Sequence, residues 1–247
     1  AKVLGTVMLA LIGYVAFSTN PPVAEAVTHV IVPTHYAWLA TITLIGGTVG
    51  GYITFSGGHR LIDAGITGRE HLNDVRRAAF MGMSVDAIVR ILLFLAVLGV
   101  VSMGFTLDPK DPAGSAFLLG AGEIGHKLFG IVFFCAALTS VVGAAYTSVS
   151  FLKTLFKVVE RYEKLTIMAF IFVSTCILIF IGKPATLLIV AGSVNGLILP
   201  VTLAVMLLAT RKTNIVGDYK HNPVLFYTGW IVVLVTAYIG VTSLQGI

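Results

Sequence analysis

Seven apolar stretches take up most of this chain, at residues 3–18, 38–59, 80–105, 128–152, 165–182, 185–209 and 224–244. The hydrocarbon core of a bilayer is about 30 Å thick and takes about 20 apolar helical residues to cross. Within it every backbone amide and carbonyl must be bonded inside the protein, so an apolar run of this length spans as a helix. The chain is therefore expected to be an all-α polytopic membrane protein with seven transmembrane helices, a single membrane domain over residues 1–247. The stretch at 165–182 is the shortest. The connectors, among them TNPPVAE, GREHLNDVRR, LDPKDPAGS and RKTNIVGDYKHNP, are polar or rich in helix breakers. Lys2 followed by VLGTVMLALIGYVAFS reads either as a signal peptide or as a membrane helix already under way.

Composition agrees, with 57% of residues hydrophobic and 11% charged, far from the balance of a soluble domain. A formal charge of +5 and a pI near 9.3 would suit nucleic acid. The basic residues, however, sit in loops between apolar stretches, which is the pattern of membrane topology, and no nucleic-acid partner is expected. Counted by alternate loops, Lys and Arg number 13 on one side and 3 on the other. The positive-inside rule then puts Ala1 and the basic loops in the cytoplasm. Cys135 and Cys176 lie within apolar stretches and have no metal-ligand spacing.

Within 38–59 the glycines come in pairs: Gly46 and Gly47, Gly50 and Gly51, Gly57 and Gly58. Each costs about 1 kcal/mol relative to alanine inside a helix. Two readings are open. Small residues let neighbouring membrane helices approach closely. Alternatively, the helix is broken and offers bare carbonyls and amides to a solute.

Charged residues in membrane segments are costly and mark function or pairing. Asp86 and Arg90 are spaced i,i+4, as are His59 and Asp63. The first pair reads as a structural salt bridge or as part of a proton or ion relay. The second reads as a relay or as an interfacial pair at the cytoplasmic mouth. Glu25 and His29 are expected to face water on the opposite side. Asn195, one residue before Gly196 and one turn before Pro200, is a candidate to line a solute site, because proline frees the carbonyl one turn back. Thr139, Ser140, Tyr146 and Thr147 place hydroxyls along the fourth stretch, where packing is the default. No Walker loop, HExxH or GxSxG is present. An intramembrane hydrolase would need Asp63 and Asp86 to meet. No cofactor is expected.

The whole chain resembles the part of a natural resistance-associated macrophage protein (Nramp) transporter from its fifth to its eleventh helix. Ile45-Gly46-Gly47-Thr48-Val49 resembles the approach to that family's broken sixth helix. Ser84-Val85-Asp86 falls on a motif of the seventh, and Leu199-Pro200 on one of the tenth. The resemblance implies the leucine-transporter fold, here its second inverted repeat with one broken helix. The first-repeat helices would come from an upstream part of the protein or from a partner chain. Asp111-Pro112-Ala113-Gly114 is similar to the family's metal-binding segment but lies in a loop, where it reads as a turn. The resemblance further implies a secondary transporter in the lipid bilayer, in a bacterial plasma membrane. Its solute would be a divalent cation, with protons as coupling ion. Gly47 would offer the metal a carbonyl, with Gly50, Gly51 and Tyr52 beside it. Gly50 and Gly51 stand where the family has Met-Pro, so the thioether that suits soft metals is missing. A hard cation such as Mg²⁺ or Mn²⁺ then fits better. A small organic solute on the same fold, or a non-transporting membrane subunit, are the alternatives.

Overall fold

A computed structural model describes residues 2–49, 53–182 and 184–245. Its elements, in order, are α1 (Lys2–Ser18), α2 (Val23–Ile31), α3 (Trp38–Val49), α4 (Ile53–Asp63), α5 (Leu72–Ser102) and α6 (Pro112–Leu155). There follow α7 (Lys157–Arg161), α8 (Glu163–Ile181), α9 (Pro184–Ala209), α10 (Thr213–Val216) and α11 (Pro223–Gln245). Among the described residues there is no strand, and the chain is an all-α polytopic membrane protein.

Among the described residues five, or six, of the seven expected spans are long and apolar enough to cross a bilayer. Helices α5, α6, α8, α9 and α11 are each long and apolar enough to cross a bilayer, and α1 with α2 makes a sixth if that bent pair is one span. The shortfall lies at 38–59, where α3 has 12 residues, roughly 18 Å of helix and short of the core thickness. Gly50, Gly51 and Tyr52 lie outside the described residues. After α1 the chain turns for a local reason. Asn20 takes the left-handed conformation (φ 45°), and Pro21 and Pro22 have no amide to continue the helix. α2 then departs at 99° from α1.

The expected turn at Asp111-Pro112 is instead a helix start. Pro112 is the first residue of α6, where a missing amide costs nothing. The Asp111 carboxylate accepts from the Gly114 amide at 2.9 Å, a side-chain cap. Helix α6 is broken once, at Gly122 (φ 68°, ψ −170°), a conformation that a side chain would strain. His126 Nδ1, beyond the break, lies 2.9 Å from the Gly114 carbonyl before it.

The chain forms two compact units, residues 1–34 with 67–143 and residues 35–66 with 144–247. In the first, α1 packs along α5. Leu11, Ile12, Val15 and Ala16 meet Ala96 and Val100, and the core is closed by Phe117 and Phe129. Those two rings stack at 4.4 Å and 15°.

In the second unit α3 runs along α9, and α11 lies against both. The α3–α9 seam is backbone against backbone. A Cβ on Gly46 would collide with the Gly192 carbonyl and the Gly196 amide, and would sit 2.9 Å from the Gly196 Cα. A Cβ on Gly192 would lie 2.8 Å from the Thr43 carbonyl, and one on Gly196 would lie 2.5 Å from the Ile42 carbonyl. Lipid tails are as apolar as leucine, so such close packing, not the hydrophobic effect, holds membrane helices together. By contrast, a Cβ on Gly47, Gly57 or Gly58 would meet nothing within 4 Å. Only the first glycine of the leading pair thus belongs to the seam. Gly46→Ala should destabilise the protein by about 2 kcal/mol or more, because its methyl meets backbone that cannot step aside. Gly47→Ala should be neutral or slightly stabilising, by up to about 1 kcal/mol. Thermal unfolding of the two variants in detergent checks this, and equal melting temperatures would contradict it.

Candidate functional site

The glycine seam fixes where the polar groups of α3 and α9 can be. Gly46 meets Gly192 and Gly196, so their chain neighbours Gly47 and Asn195 come to the same level of the two helices. Pro200 lies inside α9 and is buried. Lacking an amide, it leaves the Gly196 carbonyl without its intrahelical donor. Asn195 is half-buried, and its side-chain amide has no hydrogen-bond partner among the described residues. Among the described residues no buried side-chain nitrogen or oxygen lacks a partner, so the Asn195 amide is open to solvent or to a solute beside the carbonyl that Pro200 frees.

One turn away, Thr43 Oγ1 and Ser193 Oγ lie 2.8 Å apart across the seam. Each is also in reach of its own helix: Thr43 of the Leu39 carbonyl at 2.7 Å, Ser193 of the Ile189 carbonyl at 2.8 Å. A hydroxyl carries one proton. While one of the pair donates across the seam, the other donates back to its own helix.

A second cluster lies where α4 meets α6. Asp63, the last residue of α4, accepts from Ser150 Oγ at 2.7 Å and from Tyr146 OH at 3.2 Å. The Arg60 guanidinium stands 5.7 Å from the centre of the Tyr146 ring, a cation–π arrangement. The His59 ring lies 5.6 Å from that of Phe151. Among the described residues His59 and Asp63 form no ion pair, contrary to what their spacing predicts, because each side chain is taken up by α6. Lys153 and Glu163, 3.1 Å apart, join α6 to α8 across the short α7. Asp63 lies past the apolar stretch at 38–59. The Ser150 hydroxyl, against the opposing effect of burial, holds its carboxyl below the ordinary value of 3.8.

Asp86 and Arg90 do pair, with Nε 2.7 Å from Oδ2, and both are about half exposed. They belong to the first unit, whereas the α3–α9 seam and the Asp63 cluster belong to the second. Among the described residues no three His, Cys, Asp or Glu side chains converge as a metal cluster. Of the groups singled out from sequence, Gly47 and Asn195 stand next to the seam glycines on α3 and α9, and a Cβ on Gly47 would meet nothing within 4 Å. Gly50, Gly51 and Tyr52 lie outside the described residues. Two features involve residues that the sequence singles out, but in roles it does not show. Gly192-Ser193-Val194-Asn195-Gly196 is a Gly-x-x-x-Gly packing motif, and its spacing is the signal that could have found it. The Asp63 hydroxyl partners, 83 and 87 residues away along the chain, give no local signal.

The fold thus defines a multi-pass integral membrane protein built on a close glycine seam and a proline-interrupted helix. A family model described as natural resistance-associated macrophage protein-like matches residues 1–245, and the chain belongs to that family. It is 51% identical over 243 residues to an uncharacterized membrane protein, YcsG, of Bacillus subtilis (strain 168), covering 98% of this chain and 60% of that one. It is 50% identical over 237 residues to an uncharacterized membrane protein of Haemophilus influenzae, covering 96% of this chain and again 60% of that one. The chain thus spans less than two thirds of the length of these relatives. No solved structure matches.

A carboxyl whose folded pKa is depressed adds stability above its unfolded value and loses it as pH falls through the folded one. The melting-temperature gap between wild type and Asp63→Asn should therefore be constant above about pH 5 and close below about pH 4. Ser150→Ala, which removes the main cause of the depression, should cost about 1 kcal/mol at neutral pH and flatten that dependence. Melting curves across pH 3 to 7, roughly the carboxyl range, check both. A gap that widens on acidification would contradict the assignment.

Proposed function

We propose that the protein containing this chain is a secondary transporter that moves a divalent metal cation by alternating access. The observation that carries the reading is the half-buried Asn195 amide, without a partner among the described residues, beside the carbonyl that Pro200 frees. Membership of the Nramp-like family supports it. The solute site is assigned to Gly47, Gly50, Gly51, Tyr52 and Asn195, with the Gly47 carbonyl as a metal ligand. Carbonyl and amide oxygens suit hard ions. Among the described residues no cluster of histidine, cysteine or acid side chains competes with them. Mg²⁺ or Mn²⁺ is therefore the favoured cargo.

Proton coupling is assigned to His59 and Asp63 at the α4–α6 contact and to Asp86 and Arg90 on α5. The hydroxyls of Ser150 and Tyr146 give Asp63 a connection that a proton can follow. The helices of the first repeat are supplied by the part of the protein beyond this chain or by a partner. The protein sits in a bacterial plasma membrane with the Ala1 side in the cytoplasm, on the strength of the loop charges. A second reading has its own support. Glycines at 50 and 51, where the family has Met-Pro, leave room for a small organic solute.

The test is uptake into proteoliposomes by the full-length protein, with Mg²⁺ and Mn²⁺ outside and an inward pH gradient. Asn195→Leu should lower flux by about tenfold, the effect of losing one well-placed dipole. Its melting temperature should stay near that of wild type. Wild-type flux in that variant would remove Asn195 from the site. Absence of divalent uptake alongside uptake of a neutral solute would favour the second reading.

A further inference from the structure

The nine residues of α2, VAEAVTHVI, contribute nothing buried, yet their sequence is strongly two-faced. At 100° per residue, Val23, Val27, Val30 and Ile31 fall on one stripe, at i, i+4, i+7 and i+8. They are 47%, 52%, 80% and 74% exposed. Glu25, Thr28 and His29 fall on the other face, with the Glu25 carboxylate 3.7 Å from His29 Nε2. On the α5 side, Glu25, Ala26, His29 and Val30 border a cavity of about 440 Å³ with Phe94, Leu98 and Ser102, and Val23 borders a second one with Leu92 and Leu95. The polar pair is therefore not simply in water, as sequence suggests, while Val27 and Ile31 line neither of these cavities and point away from the protein.

Direction decides what those two side chains meet. α1 is apolar over 17 residues, about 25 Å of helix, and already covers most of a bilayer core. α2 leaves it at 99°, so with α1 across the membrane α2 runs nearly parallel to the surface. Phe17, 79% exposed at the end of α1, and Tyr14, 61% exposed one turn earlier, continue the apolar surface toward α2. A short helix with an apolar stripe on one side and charge on the other is the form that lies in the interface. We infer that α2 is an in-plane helix whose valine–isoleucine face is seated in the headgroup–acyl boundary of the bilayer, with Glu25 and His29 toward water and the α5 cavity. The partner of this surface is lipid.

The test is depth measurement by electron paramagnetic resonance on the full-length protein in phosphatidylcholine vesicles. Cys135 and Cys176, the free cysteines, are first replaced by alanine. Nitroxide labels go on Val27→Cys and, as an independent variant, Ile31→Cys. Both should collide with oxygen at least about twofold more than with a water-soluble nickel chelate, at a depth of about 5–10 Å below the headgroups. A label on Glu25→Cys should show the reverse preference. Val27 and Ile31 labels that favour the nickel chelate would put α2 in water and overturn the inference. Collisions with neither reagent would mean that protein covers the face, and would overturn it equally. A depth near the bilayer centre would make α1 and α2 one bent span, which also overturns it.

Discussion

The approach of α3 to α9 without intervening side chains is the constraint on which the second unit depends. Gly46 lies directly against Gly192 and Gly196, so the two backbones are as near as helices come. Dispersion falls steeply with distance, and in lipid it is the main attraction available. Closeness therefore does here what burial of leucines does in a soluble bundle. α11 packs differently: at Gly240 a Cβ would lie 3.0 Å from the Leu197 side chain, so this glycine makes room for a leucine and not for a backbone. The edge of Trp38 against the Tyr238 ring, at 5.9 Å, closes the outer end of the three-helix group.

That closeness has a chemical result. A seam made of glycine carries no side-chain function, and whatever chemistry the region has must come from backbone groups and from residues beside the glycines. Pro200 adds to the supply by releasing the Gly196 carbonyl. Thr43 and Ser193 share protons at the margin of the seam.

Much of this is legible in the amino-acid order. Five long apolar helices follow directly from hydropathy, and the family resemblance rests on short motifs such as Leu199-Pro200 in their order along the chain. What is not legible is instructive. The glycines from 46 to 58 look equivalent in sequence, yet Gly46 is packed while Gly47, Gly57 and Gly58 face open space, because facing depends on the partner helix. His59 and Asp63 have the spacing of a helical pair, yet tertiary partners on α6 claim both. The 99° turn after α1 is signalled by Asn20 and the prolines, but its consequence for α2 depends on geometry that no local pattern records.

The contact between His126 and Gly114 has a bearing on how α6 holds together at its break. A carbonyl oxygen only accepts, so the ring nitrogen that faces it, 2.9 Å away, must be the one that carries hydrogen. The staple therefore crosses the Gly122 break as an imidazole N–H donated to a main-chain carbonyl. Together with the stacked Phe117 and Phe129 rings, it fastens the two pieces of α6 to each other, so the glycine bends the helix without parting it.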